Sequence, residues 1–148
     1  KVMDLNVKTP FFLTQALLPL LREGGSADNP SSVVNIGSIA GIIGDGLLNY
    51  SYGPSKAALH QLTRNLAKDL PEQHIRVNAI APGRFFSKLT EYASKDKAAY
   101  DAEIEMIPLH RWGEENDIAG VAIMLCSTAG AFVTGQVIAV DGGTTLVS

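Results

Sequence analysis

The chain has 148 residues, and its 12 Lys and Arg residues stand against 15 Asp and Glu residues, which gives a net charge of -3. This balance, without any basic run, argues against nucleic-acid binding. Hydrophobic residues make up 46% of the chain, enough to bury the core of one domain. The longest apolar segment, between Phe11 and Leu21, is too interrupted by polar residues and a proline to span a bilayer.

Helical and strand patterns alternate along the sequence. We predict, in chain order, a helix over residues 2–22, a strand over 33–36, a helix over about 50–70, a strand over 75–80, a helix over 114–127 and a strand over 137–140. Pro10 and Pro19 are expected to bend or shorten the first helix, and Gly24 and Gly25 to end it. Strands that alternate with helices are parallel and joined by right-handed crossovers, so the fold class is α/β.

The segment from 84 to 111 is a charged excursion with helical pieces. We expect it to be a mobile lid over the substrate, with Lys95, Asp96 and Lys97 in a solvated loop. Trp112 is predicted to anchor the packing beside this lid, and Asp141 to cap or fix the last turn.

The single cysteine, Cys126, excludes an intrachain disulfide and fits a reducing compartment such as the cytoplasm. Its apolar helical surroundings predict a buried, inert thiol. His60, His74 and His110 share no metal-ligand spacing, so a core or surface role is expected for each and no metal site is predicted. The opening residues already read as the middle of a helix, and we expect the chain to be part of a longer protein.

Tyr52 and Lys56 are four residues apart, which places both side chains on one face of the predicted helix. A nearby ammonium favours the phenolate, so the pKa of the tyrosine should fall. Such a phenol can give a proton to a carbonyl oxygen or take one from an alcohol. Ser38 lies just past a strand end, where open α/β sheets bind ligands, and its hydroxyl can donate to the same oxygen. Alone, the helix pair and the turn serine are ordinary; together, and in this order, they indicate an active site.

These motifs resemble those of the short-chain dehydrogenase/reductase family. The segments that carry the resemblance occur in family order and are Asp4–Val7, Asn35–Gly41, Tyr52–Ala58, Arg76–Gly83, Arg111–Gly113, Thr134–Gln136 and Val140–Gly143. The resemblance covers nearly the whole chain. It implies a Rossmann-like, doubly wound parallel sheet, of which residues 1–148 would be the catalytic C-terminal portion of a single domain, with the N-terminal strands missing.

The resemblance also implies roles for individual residues. Tyr52 would be the proton donor or acceptor. Lys56 would lower the pKa of that tyrosine and hydrogen-bond the nicotinamide ribose. Ser38 would hold the substrate oxygen, and Asn6 would position a water for proton relay.

The same resemblance implies that the cofactor is also contacted by Pro82, Gly83, Phe85 and Ser87. Ser87 stands where the family usually has a threonine, and it keeps the hydroxyl. The implied activity is hydride transfer between NAD(P)(H) and a ketone or secondary alcohol. The chain is most similar to 3-oxoacyl reductase-like members of the rhamnolipid type, which favours NADP over NAD and a 3-oxoacyl thioester as substrate.

The 148 residues contain no glycine loop for the phosphates of a dinucleotide. The glycines that follow the first strand (Gly37, Gly41, Gly44 and Gly46) do not match G-x-G-x-x-G, and no helix begins at once after them. We read them as the active-site loop, in which residues 44–46 could absorb a gap between Ser38 and Tyr52 that is one residue longer than usual. We therefore expect these residues alone to bind no cofactor tightly and to be inactive.

Other readings of the motifs remain open. Tyr50 is six residues from Lys56 and does not fit the family spacing, and the divergent enoyl-reductase branch needs a tyrosine where this chain has Asn49. A non-catalytic nucleotide-binding or scaffold protein, and an extended-branch epimerase or dehydratase, are the alternative functions. As partners we expect a small carbonyl or alcohol substrate and a second copy of the chain, in a homodimer or homotetramer built through residues 57–70 and 134–140.

Overall fold

The computed structural model describes residues 1–44, 50–86 and 96–147. At its centre is a three-stranded parallel sheet, in the order β1 (Ser31–Ile36), β2 (Ile75–Pro82) and β3 (Val137–Val140). Ile36 pairs with Ile80 and Pro82 pairs with Val140, so the carboxyl ends of the strands lie along one edge of the sheet. The middle strand, β2, is buried along almost its whole length, as a strand covered on both faces should be.

The helices of the described residues are α1 (Thr9–Gly24), α2 (Tyr52–Asp69), α3 (Lys97–Glu105), α4 (Glu115–Cys126) and the short α5 (Thr144–Val147). A π-helical turn, Asp4–Lys8, leads into α1. Single 3-10 turns at Ile39–Gly41, Pro71–Gln73 and Thr128–Gly130 connect the longer elements. Among the described residues, no helix is both long and apolar enough to cross a membrane.

Alternation along the strands places helices on both faces of the sheet. Val33 and Val77 point to one face, where they pack in a core with side chains of α1 and α2. Ser32 and Arg76 point to the opposite face, where both donate hydrogen bonds to the carbonyl of Leu125 in α4. The predicted α/β class and its doubly wound, Rossmann-like arrangement are therefore confirmed.

The first helix differs from its prediction. Pro10 cannot donate an N–H to the carbonyl four residues earlier, and a wider π turn precedes it, closed by the bond from the Thr9 N–H to the Asp4 carbonyl. Pro19 was expected to bend or shorten the helix, yet it lies inside α1, which continues to Gly24. The expectation of a shortened helix is wrong because contacts of α1 with the core, made by Leu18 and Leu21, outweigh the one backbone bond that Pro19 removes.

Lys95, Asp96 and Lys97 were predicted to lie in a solvated loop. Asp96 is exposed and lies just before a helix, in agreement with this, but Lys97 already belongs to α3, so the prediction is wrong for Lys97. The Asp96 carboxylate accepts the N–H groups of Ala98 and Ala99, each at 3.1 Å, and so caps α3. Lys97 is the first residue of that helix and pairs with Asp101. Lys95 lies outside the described residues.

Trp112 is 2% exposed and packs against Ile107. Its ring centre lies 4.6 Å from that of Phe86 and 5.2 Å from that of Tyr100. The predicted role as a packing anchor is confirmed.

Cys126 is exposed, so the prediction of a buried thiol is wrong. It is the last residue of α4, and its neighbour Leu125 is the one that faces the sheet, with 0% exposure. An apolar helical segment therefore did not imply burial at every position.

Candidate functional site

Tyr52 begins α2, and Lys56 follows one helical turn later. The Lys56 Nζ atom lies 5.6 Å from the centre of the Tyr52 ring, so the two side chains are neighbours, as their spacing predicts. Lys56 Nζ also donates to the carbonyl of Ile36 at 2.8 Å, at the end of β1. Burial lowers the pKa of the Lys56 ammonium. Lys56 thus joins the phenol on α2 to the carboxyl edge of the sheet.

Ser38 follows β1 by two residues, with an extended backbone and a half-buried side chain. Its Oγ accepts the N–H of Ala40 at 3.2 Å and caps the 3-10 turn. Its own N–H donates to Nε2 of His60 at 3.4 Å. The serine is therefore held from both sides, by its own loop and by α2.

Asn6 lies in the π-helical turn before α1. Its Nδ2 donates to Oγ of Ser55 at 2.9 Å, and that hydroxyl donates to the backbone carbonyl of Tyr52 at 2.7 Å. Ser55 is fully buried between the two. Through these contacts Asn6, Ser38, Tyr52 and Lys56 all converge on the first half of α2.

Pro82 and Gly83 lie at the carboxyl end of β2. The N–H of Gly37 donates to the carbonyl of Ile80 at 2.7 Å, which ties the Ser38 loop to the same end of β2. A side chain at Gly83 would begin 2.8 Å from the Cα atom of Asp141, so this close approach of two backbones requires glycine. The two residues therefore share an edge of the sheet with the Ser38 loop.

Phe85 lies on the β3 side of this edge. It forms an isolated bridge with Gly113, and its ring fills the space that a side chain at Gly113 would need. Together with Leu109 and Asp141 it lines a cleft of about 470 Å³. Ser87, the remaining predicted cofactor contact, lies outside the described residues, as do residues 45–49 of the loop between Ser38 and Tyr52.

Asp141 fixes the turn after β3, as the sequence predicts. Its Oδ1 accepts the N–H of Gly143 at 3.0 Å and its Oδ2 accepts the N–H of Thr145 at 2.8 Å. Partial burial alone would raise the pKa of Asp141, but the bonds from Thr145 and Gly143 outweigh it and leave that pKa below its usual value.

His60 is the neighbour of the site that sequence reasoning left in a general core or surface role. It is 2% exposed and contacts the Ser38 loop, although no local motif contains it. Its position four residues after Lys56, on the same helical face, is the signal that could have found it. Tyr50, the rival tyrosine, is 84% exposed. Within the described residues, no group of three or more His, Cys, Asp and Glu side chains is placed to hold a metal ion.

Comparison with known proteins finds several relatives that are described as reductases. A family model described as Enoyl-(Acyl carrier protein) reductase matches residues 1–145. The chain is 55% identical over 143 residues to the rhamnolipids biosynthesis 3-oxoacyl-(acyl-carrier-protein) reductase of Pseudomonas aeruginosa, covering 97% of this chain and 56% of that protein. It is 37% identical over 143 residues to the 3-oxoacyl-(acyl-carrier-protein) reductase FabG of Thermotoga maritima, covering 96% and 55%.

Among solved structures, the Pseudomonas aeruginosa RhlG/NADP active-site complex superposes with a TM-score of 0.92 at 54% identity. The match covers 97% of this chain and 58% of that one. The chain thus spans about half the length of the curated relatives it matches.

Proposed function

Because the chain belongs to the short-chain dehydrogenase/reductase family, we propose that it forms the catalytic part of an NADP(H)-dependent oxidoreductase that interconverts a ketone and a secondary alcohol. The observation that carries this proposal is the meeting of α2 and the carboxyl end of β1. There Lys56 lies beside Tyr52 and donates a hydrogen bond to the last carbonyl of β1. Ser38 follows the end of the same strand by two residues.

In this proposal Tyr52 moves the proton. It gives its phenolic proton to the carbonyl oxygen during reduction and takes one from the alcohol during oxidation. The ammonium of Lys56, 5.6 Å from the ring centre, favours the phenolate that the first step leaves behind. Ser38 already accepts an N–H at Oγ, so its own O–H can donate to the substrate oxygen. Asn6 positions a water from which the tyrosine is reprotonated.

The residues present fit a nicotinamide cofactor, which supplies or takes the hydride when it is bound. Lys56 has three N–H donors, and its bond to the Ile36 carbonyl leaves donors for the hydroxyls of a ribose. Pro82 and Gly83 offer backbone on the same edge of the sheet. We propose Phe85 and Ser87 as further contacts. NADP is favoured over NAD by the NADP complex of the similar Pseudomonas aeruginosa protein.

The matching family model carries the name of enoyl reductases, but we propose carbonyl reduction for this chain. Tyr52 has the four-residue spacing to Lys56, and Asn49 occupies the position at which the divergent enoyl-reductase branch needs its tyrosine. Two relatives are named as 3-oxoacyl-(acyl-carrier-protein) reductases, which supports a 3-oxoacyl thioester as substrate.

We propose that residues 1–148 are one part of a single Rossmann-type domain and that 84–111 act as its substrate lid.

A homodimer or homotetramer is supported by the exposed apolar side chains of α1, which include Phe12, Leu13 and Leu20. Light scattering on the full-length protein tests the assembly, and a monomer would refute it. A cytoplasmic location is proposed from the single cysteine.

The decisive experiment replaces Tyr52 by phenylalanine in the full-length protein that carries these residues. Turnover of NADPH with a panel of ketones, 3-oxoacyl thioesters included, is followed by the absorbance of the reduced nicotinamide. Tyr52→Phe should lower kcat by at least about 10²-fold, because proton transfer is lost, while NADPH binding is largely kept. Tyr50→Phe is the matched control, since that tyrosine is exposed and should not be needed. Unchanged activity of Tyr52→Phe would overturn the proposal.

A further inference from the structure

His60 is a buried histidine that packs against the start of the loop on which Ser38 lies, from Gly37 to Gly41. It is 2% exposed and follows Lys56 by one turn of α2. Its Nε2 accepts the backbone N–H of Ser38 at 3.4 Å. The backbone of Gly41, at the other end of the 3-10 turn, lies against the same ring.

The bond from Ser38 fixes the protonation state of the ring. A nitrogen that accepts an N–H carries no proton, so the proton of the His60 ring is on Nδ1 and the ring is neutral. Burial lowers the pKa of His60, the backbone of Gly41 raises it, and the charges of Arg64 and Lys56 lower it further. The net lowering keeps the ring neutral at neutral pH, as its contact with Ser38 requires.

Two glycines of the loop, Gly37 and Gly41, leave room for the ring of His60. A side chain at Gly37 would begin against Nε2 of His60, and one at Gly41 would begin 2.8 Å from Cε1. Both glycines therefore let the loop backbone approach the ring closely. The loop after β1 and the His60 side chain of α2 therefore pack closely against each other.

We propose that His60 is a positioning residue for Ser38. It holds the serine loop on the same helix that carries Tyr52, so the serine hydroxyl and the phenol keep a fixed relation although they belong to different elements. This inference rests on the proposed function, because it assigns His60 a part in the same reaction, through Ser38 and without contact to the substrate.

The test compares two replacements in the full-length protein. His60→Leu places an apolar side chain of similar size there and removes the bond from the Ser38 N–H. We expect kcat to fall roughly 10- to 100-fold, as a displaced catalytic group would cause, with the Kd for NADPH changed by less than about twofold. His60→Gln places an amide oxygen near the position of Nε2, where it can accept the Ser38 N–H, and should regain most of kcat.

Thr63→Val is the control for a purely structural effect. Thr63 is equally buried, one turn further along α2, and its hydroxyl bonds Asn35 and the Leu59 carbonyl rather than the Ser38 loop. It should lower the melting temperature and leave kcat unchanged. Equal losses of kcat in His60→Leu and Thr63→Val at equal losses of melting temperature would overturn the inference.

The outcome separates this inference from the proposed function. If Tyr52→Phe is inactive and His60→Leu keeps the parent kcat, the role of His60 is refuted and the proposed function stands. If Tyr52→Phe is active, the proposed function itself fails. Should His60→Leu not fold, His60→Gln is compared with His60→Asn, whose amide reaches only the position of Nδ1; equal kcat values in that pair would refute the role.

Discussion

The hydrogen bond between Asn6 and Ser55 connects the start of the chain to the helical turn that carries Tyr52. Ser55 is fully buried, and its hydroxyl both accepts from Asn6 Nδ2 at 2.9 Å and donates to the Tyr52 carbonyl at 2.7 Å. Ser55→Ala removes both bonds at almost constant volume. We predict that this change loosens the contact between the π-helical turn and α2.

The magnitude follows from the number of bonds lost. A hydrogen bond of this kind contributes about 0.5–1.5 kcal/mol to folding, so Ser55→Ala should cost roughly 1–3 kcal/mol. Asn6→Ala loses one bond and should cost about 1 kcal/mol, since the Ser55 hydroxyl keeps its bond to the Tyr52 carbonyl. The double variant should be less destabilised than the sum of the two, by about 1 kcal/mol, because the shared bond is lost only once.

Urea unfolding of the full-length protein and the three variants measures this coupling. Ser26→Ala is the control, because Ser26 is exposed and accepts a single bond from the nearby Asn29 N–H; its effect should stay within about 0.5 kcal/mol. Strictly additive free energies of unfolding for Asn6→Ala and Ser55→Ala would show that the contact contributes nothing, and the reasoning would be refuted.

Other predictions follow from contacts outside the site. Arg76→Met removes bonds to the carbonyls of Leu125 and Gly130 at 3.0 and 2.7 Å, and urea unfolding should detect a loss of about 1–3 kcal/mol, with kcat unchanged because these bonds lie on the opposite face of the sheet. Asp96→Ala removes the cap of α3 and should weaken hydrogen-exchange protection of that helix by about 1 kcal/mol. The lowered folded-state pKa of Asp141 means that its carboxylate stabilises the fold above the unfolded pKa of about 3.9, an effect lost as the pH falls through the folded value. Urea unfolding across acid pH should therefore find Asp141→Asn less stable than the parent near neutrality, with the difference shrinking in acid; a constant difference would refute the linkage.

Elements with strong local signals were predicted closely. The last strand was expected over 137–140 and occupies Val137–Val140. The site helix runs from Tyr52 to Asp69, because Pro54 is tolerated in a first turn, where N–H groups need no partner, and Pro71 cannot continue the helix. Each of these boundaries depends on residues within a few positions of it.

The errors came from effects that local patterns do not contain. Pro19 shortens an isolated helix, but α1 is held by its contacts to the rest of the fold, and these outweigh the loss of one backbone bond. The start of α3 at Lys97 is a different case, because its signal is local: Asp96, just before it, is a residue type that caps helices.

The sequence predicted where the candidate site residues lie, but not the residues that support them. The spacing of Tyr52 and Lys56, and the place of Ser38 after a strand, follow from helix geometry and from the edge at which parallel strands end. The contact of Ser38 with His60 joins residues 22 positions apart, and that of Asn6 with Ser55 joins residues 49 apart. Such partners are brought together by tertiary packing, so no window of the sequence contains them.

The polar residues on the inward side of α2 explain why Tyr52 and Lys56 indicate a functional site. A helix packed on a sheet normally turns an apolar stripe with a 3.6-residue period toward the core. On α2 the inward positions are mostly polar through the first three turns, with Leu59 the apolar exception; in chain order they are Tyr52, Ser55, Lys56, Leu59, His60, Thr63 and Ala67. Burying that many polar groups costs free energy unless each is bonded. Partners for the buried ones lie in the π-helical turn, β1 and the Ser38 loop, so the first half of α2 serves the site and the second half serves the core.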